Sequence, residues 1–405
     1  MFSNQLERTY APFEPKLATR IAENITHDVQ MKMKEGRHLA ASCPTNVSEN
    51  RIAQFYRKEL KYGRLLGSGA FCDVYELKSL VHDSRYDNAS RAKNYKLNRK
   101  NMTSAVKKSK KSPFVVKHLR PSLLKDQRDF HEAASELILE AKYLTTLKHP
   151  NLISIHASAT AGGMAYSDGR HDAFFVVLDR LDSTLLDEVV KWKVQGSKLK
   201  VSLDQRLKMM VDLASALEYL HDRKLVYRDL KPGNVGFDLN GKVRLFDFGL
   251  LAEVPKEGYL KQRSGTVRYM APDCFLGKYD CKADVFSLTV LVWEVLTLKH
   301  YFERQDNLEH VKATLTGTRE PLDMTWSTGL RTIINQGWIG DPNKRLSMRD
   351  FRNGLKKEIG NTVHHSISKG GSKRMVESQT FETVETRLSD DNEVSIYDNS
   401  YEIEA

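Results

Sequence analysis

YRDLKPGN occupies Tyr227 to Asn234, and its reading decides the rest of the chain. It brings Arg228, Asp229, Lys231 and Asn234 into one short loop: two cations, a carboxylate and an amide oxygen. Downstream lie LFDFGL, Leu245 to Leu250, and GTVRYMAPD, Gly265 to Asp273. Upstream lies YGRLLGSGAFCDVYEL, Tyr62 to Leu77, which reads as a strand, a glycine-rich turn and a second strand. FVVKHL, from Phe114, is a short β-branched run of strand character and carries Lys117. The turn approaches G-x-G-x-x-G, with Cys72 at the third glycine position. Alone it reads equally as a hairpin that contains Gly67 and Gly69. Ordered with the other segments it becomes a specific signal.

Bulk properties bound the answer. The chain has 405 residues, room for two domains, and 40% hydrophobic residues, enough for a substantial core. The formal charge of +11 is unevenly spread. Lys78 to Lys111 carries 11 Lys/Arg against Asp83 and Asp87, and Glu377 to Ala405 carries 9 acids against Arg387. The chain is therefore not uniformly basic, no nucleic-acid fold motif accompanies the charge, and a nucleic-acid partner is not expected. Cys43, Cys72, Cys274 and Cys281 are scattered without metal spacing, which points to a reducing intracellular compartment, cytoplasmic or nuclear. The most apolar stretch, Phe286 to Leu298, is too short to span a membrane and contains Glu294. It reads as a core helix.

Periodicity places Phe130, Ala134, Leu137, Ala141 and Leu144 on one stripe of a helix between Asp126 and Leu147. HPNLISIHAS and AFFVVLDRL read as strands. Ser202 and Gln205 resemble a capping box opening a helix that turns Met209, Leu213, Leu217 and Leu220 inward. After about Ser183 the chain turns mainly helical.

The motifs, in this order and spacing, resemble the protein-kinase superfamily of serine/threonine type, over about Tyr62 to Ile359. The GTVRYMAP segment looks most like its tyrosine-kinase-like group. The resemblance implies an α+β, bilobal fold: a small antiparallel β-sheet lobe with one long helix (about 56–181), and a larger, mainly helical lobe (about 182–360). Residues 1–55 are expected to be a flexible leader, 79–112 a solvated basic insertion, and 361–405 a disordered acidic tail.

The resemblance also implies ATP and Mg2+, with protein substrates. Phosphoryl transfer needs a grip on the polyphosphate, metal ions to neutralise it and an aligned hydroxyl. Gly67, Ser68, Gly69, Ala70, Phe71, Cys72 and Val74 would form the phosphate-covering hairpin, its glycines admitting close backbone approach. Lys117 would bind the phosphates. Glu140 is its expected ion-pair partner, since it lies ten residues before Pro150, and Glu136 is the runner-up. Asp229 would be the catalytic base, with Lys231 at the γ-phosphate and Thr266 bridging both. Asn234 and Asp247 would hold magnesium through hard oxygen ligands. Asp179 and Leu181 would offer backbone contacts to adenine, and Leu178 would be the gatekeeper. Ser264 and Tyr259 are the candidate phosphorylation sites of the segment that Arg228 would read.

Departures accompany the match. Tyr227 stands where histidine is usual, and Asp273, where glutamate is usual, is expected to pair with Arg345. Val115 replaces an alanine above the adenine ring, and Gly236 a large aliphatic below it, so a gap is expected at Gly236. The basic insertion is a candidate contact for an acidic partner or for the chain's own tail. A non-catalytic scaffold on the same fold is the rival reading, and would be favoured had Lys117, Asp229, Asn234 or Asp247 been missing. All four are present.

Overall fold

The computed structural model describes residues 12–35, 52–81, 93–109, 111–159, 169–196 and 201–361. The acidic tail therefore lies outside the described residues, apart from Asn361.

The small lobe contains helix α1 (Pro15–Glu35), strands β1 (Ala53–Phe55), β2 (Leu60–Ser68) and β3 (Cys72–Leu80), helix α2 (Lys93–Lys108), β4 (Phe114–Leu119), helix α3 (Gln127–Thr146), β5 (Ile155–Ala159) and β6 (Phe175–Asp179). The sheet order is β1-β5-β6-β4-β3-β2. Its pairs are antiparallel except β1 with β5. Side chains alternate across it, as strand geometry requires. Phe114, Val116, Phe175 and Val177 enter an outer cluster, while Val115, Leu119, Val176 and Leu178 join the core that continues into the large lobe.

Two expectations fail here. Residues 1–55 are not simply a flexible leader. Pro15–Glu35 is helical, Ala18, Ile21, Ala22, Ile25 and Val29 are buried in the main core, and Ala53–Phe55 adds an edge strand. The burial of that apolar stripe holds a segment whose average composition is polar. Nor is the basic insertion wholly solvated. Helix α2 lays Met102 and Val106 on the outer face of the sheet. Arg99 is fully buried there, its Nη2 donating to Glu59 Oε1 (2.5 Å) and its Nη1 to the Gln54 carbonyl (2.5 Å). A buried guanidinium is tolerable because it is paired. Lys100, Lys107 and Lys108 remain exposed, and Lys111 pairs with Asp182 (2.6 Å).

Beside α2, Tyr62, Tyr75 and His118 stack on one another with centroids 5.1–5.5 Å apart. His171 packs against His118, and Asp172 pairs with Arg57 and Arg170. Burial, aided by His118, Arg170 and Arg57 against the opposing pull of Asp172, pushes the His171 imidazole down to about 4. The unfolded chain therefore binds this proton more readily than the folded one between roughly pH 6.5 and 4. Stability is expected to fall with pH across that window, by at most about 1.4 kcal/mol per pH unit for each such proton. Thermal melts from pH 7 to 4 should show a shallower slope for His171→Asn than for the wild type. An unchanged slope would refute this account.

The large lobe follows through β7 (Leu181–Thr184), α4 (Leu185–Gln195), α5 (Leu203–His221), β8 (Leu225–Val226), β9 (Val235–Asp238), β10 (Val243–Leu245) and β11 (Ala252–Glu253). It ends in α6 (Pro272–Phe275), α7 (Lys282–Thr297), α8 (Asn307–Leu315), α9 (Thr328–Gly337) and α10 (Met348–Glu358). The Ser202–Gln205 capping box opens α5, where Met210 rather than Met209 is fully buried. Helix α7 is apolar all round and buried from Ala283 to Leu296, the pattern of a central core helix. Among the described residues, no helix is long and apolar enough to cross a membrane.

Candidate active site

Three elements meet at Lys117. It sits on β4 and donates to Glu140 Oε2 of α3 and to Asp247 Oδ1, both at 2.8 Å. Glu140, and not Glu136, faces it. The other Glu140 oxygen accepts the Phe248 N–H (3.1 Å), so one carboxylate ties the lysine to the LFDFGL segment. Burial alone would lower the Lys117 ammonium, but Asp247 and Glu140 hold it well above its usual value. The Lys117 charge in turn holds the Asp247 carboxyl below the usual range. Asp247 has a left-handed backbone (φ 61°) that a non-glycine residue rarely adopts.

The second cluster is the YRDLKPGN loop. Asp229 Oδ2 accepts from Asn234 Nδ2 (2.7 Å) and lies 3.0 Å from Lys231 Nζ. Its Oδ1 accepts from Thr266 N–H (3.0 Å) and Thr266 Oγ1 (2.7 Å). Lys231 Nζ also donates to Thr266 Oγ1 (3.0 Å). The two clusters are stitched together by Phe246 N–H donating to the Asn234 carbonyl (3.1 Å), which sets Asn234 beside Asp247. Gly265 carries φ 114°, and a Cβ there would lie 2.2 Å from the Arg228 carbonyl oxygen. Only glycine lets this segment lie so close to the loop.

The hairpin closes through Gly69 N–H donating to the Cys72 carbonyl (2.8 Å) and Ser68 Oγ donating to Asp73 (2.5 Å). Phe71 is exposed at its tip. A Cβ at Gly67 would meet nothing within 4 Å, so this glycine leaves open room rather than relieving strain. Burial pushes the Cys72 thiol up to about 12, so it sits as a neutral packing group. Val74 pairs with Lys117 across the ladder, and Val115 pairs with Leu178, both buried. The Asp179 carboxylate accepts from Ser154 N–H (2.9 Å) and contacts His156 (2.6 Å), tying β6 to β5.

The expected gap at Gly236 is absent. A Cβ there would lie 2.6 Å from Leu181 Cδ1, 3.2 Å from the Ser183 carbonyl and 3.3 Å from Phe246. Leu181, brought over by pairing of β7 with β9, occupies the room that a large aliphatic would need. Gly236→Leu is therefore expected to overpack, costing about 1–3 kcal/mol of stability. A urea melt that shows no loss would contradict this.

Residues outside the motifs hold the loop. Asp284, at the start of α7, accepts the Tyr227 N–H (2.8 Å) and the Arg228 N–H (2.9 Å) and contacts His221 (2.8 Å). It fixes the left-handed Arg228 (φ 72°) one residue before Asp229. Glu294 accepts from Tyr269 Oη (2.8 Å) and Tyr301 N–H (2.8 Å). The signal for both was an acid within an apolar helix, which burial permits only with partners. The Tyr227 ring meets Phe248 edge-on (5.5 Å, 74°) rather than stacked. Asp273 does pair with Arg345, at 2.7 Å and fully within the core.

The sequence is similar to those of known protein kinases. The family described as Protein kinase domain matches residues 100–354, so the hairpin lies upstream of the matched part. A serine/threonine-protein kinase A of Trypanosoma brucei brucei is 28% identical over 275 residues, 65% of this chain and 61% of that protein. Serine/threonine-protein kinase 12 of Arabidopsis thaliana is 29% identical over 261 residues, 62% of this chain and 52% of that protein. The dual serine/threonine and tyrosine protein kinase of Mus musculus is 29% identical over 217 residues, 52% of this chain and 22% of that protein. The chain thus spans about half to three fifths of the first two. It belongs to the eukaryotic protein kinase superfamily, of the serine/threonine type.

Proposed function

We propose that this chain transfers the γ-phosphoryl group of Mg-ATP to serine or threonine hydroxyls of protein substrates. The observation that carries the reading is the joining of two clusters, Lys117–Glu140–Asp247 and Asp229–Lys231–Asn234–Thr266, by the Phe246–Asn234 backbone bond. Lys117 is held by two carboxylates where it can bind the α- and β-phosphates. The Gly67–Val74 hairpin covers them, and the backbone of Asp179 and Leu181 meets the adenine. Asp229 accepts the hydrogen bond of the incoming hydroxyl and orients it, and Lys231 neutralises the γ-phosphate.

Asn234 and Asp247 fit a magnesium ion. Both carry hard oxygens, and Asn234 has its amide nitrogen committed to Asp229, which leaves its oxygen as the ligand atom. Held there, the ion would supply charge neutralisation for the polyphosphate. Lysine two residues past the base, with Thr266 bonded to both, supports serine/threonine over tyrosine specificity. The exposed Lys100, Lys107 and Lys108 of α2 suit an acidic partner. The free thiols of Cys72, Cys274 and Cys281 suit reducing, cytoplasmic or nuclear surroundings.

The test is incubation with γ-labelled ATP, magnesium and a generic basic protein, followed by phosphoamino-acid analysis. Labelled phosphoserine or phosphothreonine is the expected product. Phosphotyrosine alone would overturn the specificity, and nucleotide binding without transfer would favour the scaffold.

A further inference from the structure

Helix α3 carries Glu140, and its two ends are held differently. At its C-terminal end Leu144 and Leu147 are buried in the core shared with the large lobe, and Lys148 N–H donates to Tyr219 Oη of α5 (2.9 Å). Near its N-terminal end it is held by α1. Ala18, Ile21, Ala22, Ile25 and Val29 recur at helical spacing, and each is 3% exposed or less. The Phe13 ring packs edge-on against Phe130 (5.3 Å, 85°), and Phe130 does the same with Phe174, next to β6 (6.1 Å). Asp28 contacts His131 Nε2 at 3.0 Å. Phe13, two residues before α1, and Asp28, in its second half, meet the adjacent residues Phe130 and His131 of α3, so this segment crosses the start of that helix.

We propose that α1 is a positioning segment for Glu140: by holding the N-terminal part of α3 against the lobe, it keeps the Lys117–Glu140 pair closed. The proposal rests on the kinase reading for its effect on rate, and on packing alone for its effect on α3. The lever is short. At 1.5 Å per residue, Glu140 lies roughly 10 Å from Leu147 and Phe130 roughly 25 Å from it. A swing of about 5 Å at Phe130, pivoting on Leu147, moves Glu140 by about 2 Å. That takes a 2.8 Å contact well past hydrogen-bonding range. Helix α1 lies upstream of residues 100–354, the part that the family match covers.

The experiment uses the full chain with Ile21→Ala/Ile25→Ala, the conservative Ile21→Val/Ile25→Val, and Leu355→Ala on α10 as an equally buried control far from α3. Melting temperature, kcat and KM for ATP well below the melt, and amide exchange over residues 127–146 are measured for each. The expected result is a tenfold or greater loss of kcat/KM and faster exchange in α3 for the double alanine variant. The valine pair should recover most of the activity, and Leu355→Ala should lower the melting temperature without either effect. Activity and exchange within twofold of the wild type in the double alanine variant would overturn the proposal. So would an equal loss of activity in Leu355→Ala. If the wild type transfers no phosphate, the kinase reading fails, and amide exchange over α3 decides the packing role by itself. Should the double alanine variant not fold, the same two readouts on Ile25→Ala alone decide it by the same criteria.

Discussion

Asp229→Asn is expected to lower phosphoryl transfer by about 10²- to 10⁴-fold, the usual worth of a positioned acid–base group. In this site the amide does more than remove a charge, because it also brings N–H donors. Asp229 accepts from Asn234 and Thr266 and faces the Lys231 ammonium, so every neighbour presents a donor. An asparagine must turn its own NH2 toward one of them, which forfeits that bond and disturbs the oxygen that should receive the substrate hydroxyl. Leaving such a buried donor unmatched costs about 1–3 kcal/mol. ATP affinity should stay within a few fold, because the nucleotide grip belongs to Lys117 and the hairpin. Single-turnover rates alongside nucleotide titration separate the two. Transfer at the wild-type rate would remove Asp229 from its role.

The second large effect is on stability. Arg345→Ala is expected to destabilise the fold by about 3–5 kcal/mol, because it strands Asp273 as an unpaired charge in the core. Replacing both partners often recovers such a loss, but here it should recover only part. The guanidinium also donates to the carbonyls of Ile339 (2.9 Å), Lys282 (2.8 Å) and Gly340 (3.2 Å). These acceptors would lose their donor in any variant without an arginine. Urea unfolding of Arg345→Ala, Asp273→Ala and the double variant measures the coupling directly. Full recovery in the double variant would show that the carbonyl bonds add nothing. The shorter aspartate reaches its partner because Arg345 is held from three other sides.

The catalytic residues were legible because phosphate chemistry dictates both residue type and close spacing, as in Asp229, Lys231 and Asn234. Glu140 was legible by its distance from Pro150. What stayed hidden depended on contacts between distant parts of the chain. Leu181 fills the space at Gly236 only because β7 pairs with β9, a register that no local pattern announces. Arg99 read as one charge among many, and its burial follows from Glu59 and Gln54 lying forty or more residues upstream. In α1 five small or branched apolar residues are diluted by lysine, glutamate and asparagine, so the stripe was weaker than the composition around it. Asp284 was missed because a lone acid carries no motif, although its place in an apolar helix was a sign.

The alternation along β4 and β6 has one more consequence. Phe114, Val116, Phe175 and Val177 answer to a cluster closed by α2, whereas Val115, Val176 and Leu178 answer to the core that runs on into the large lobe. The same strands thus border two separable cooperative units. Fraying of α2 would expose the outer cluster while the inward-facing side chains kept their partners. The back of this lobe can breathe on its own clock, without the cleft in front having to open.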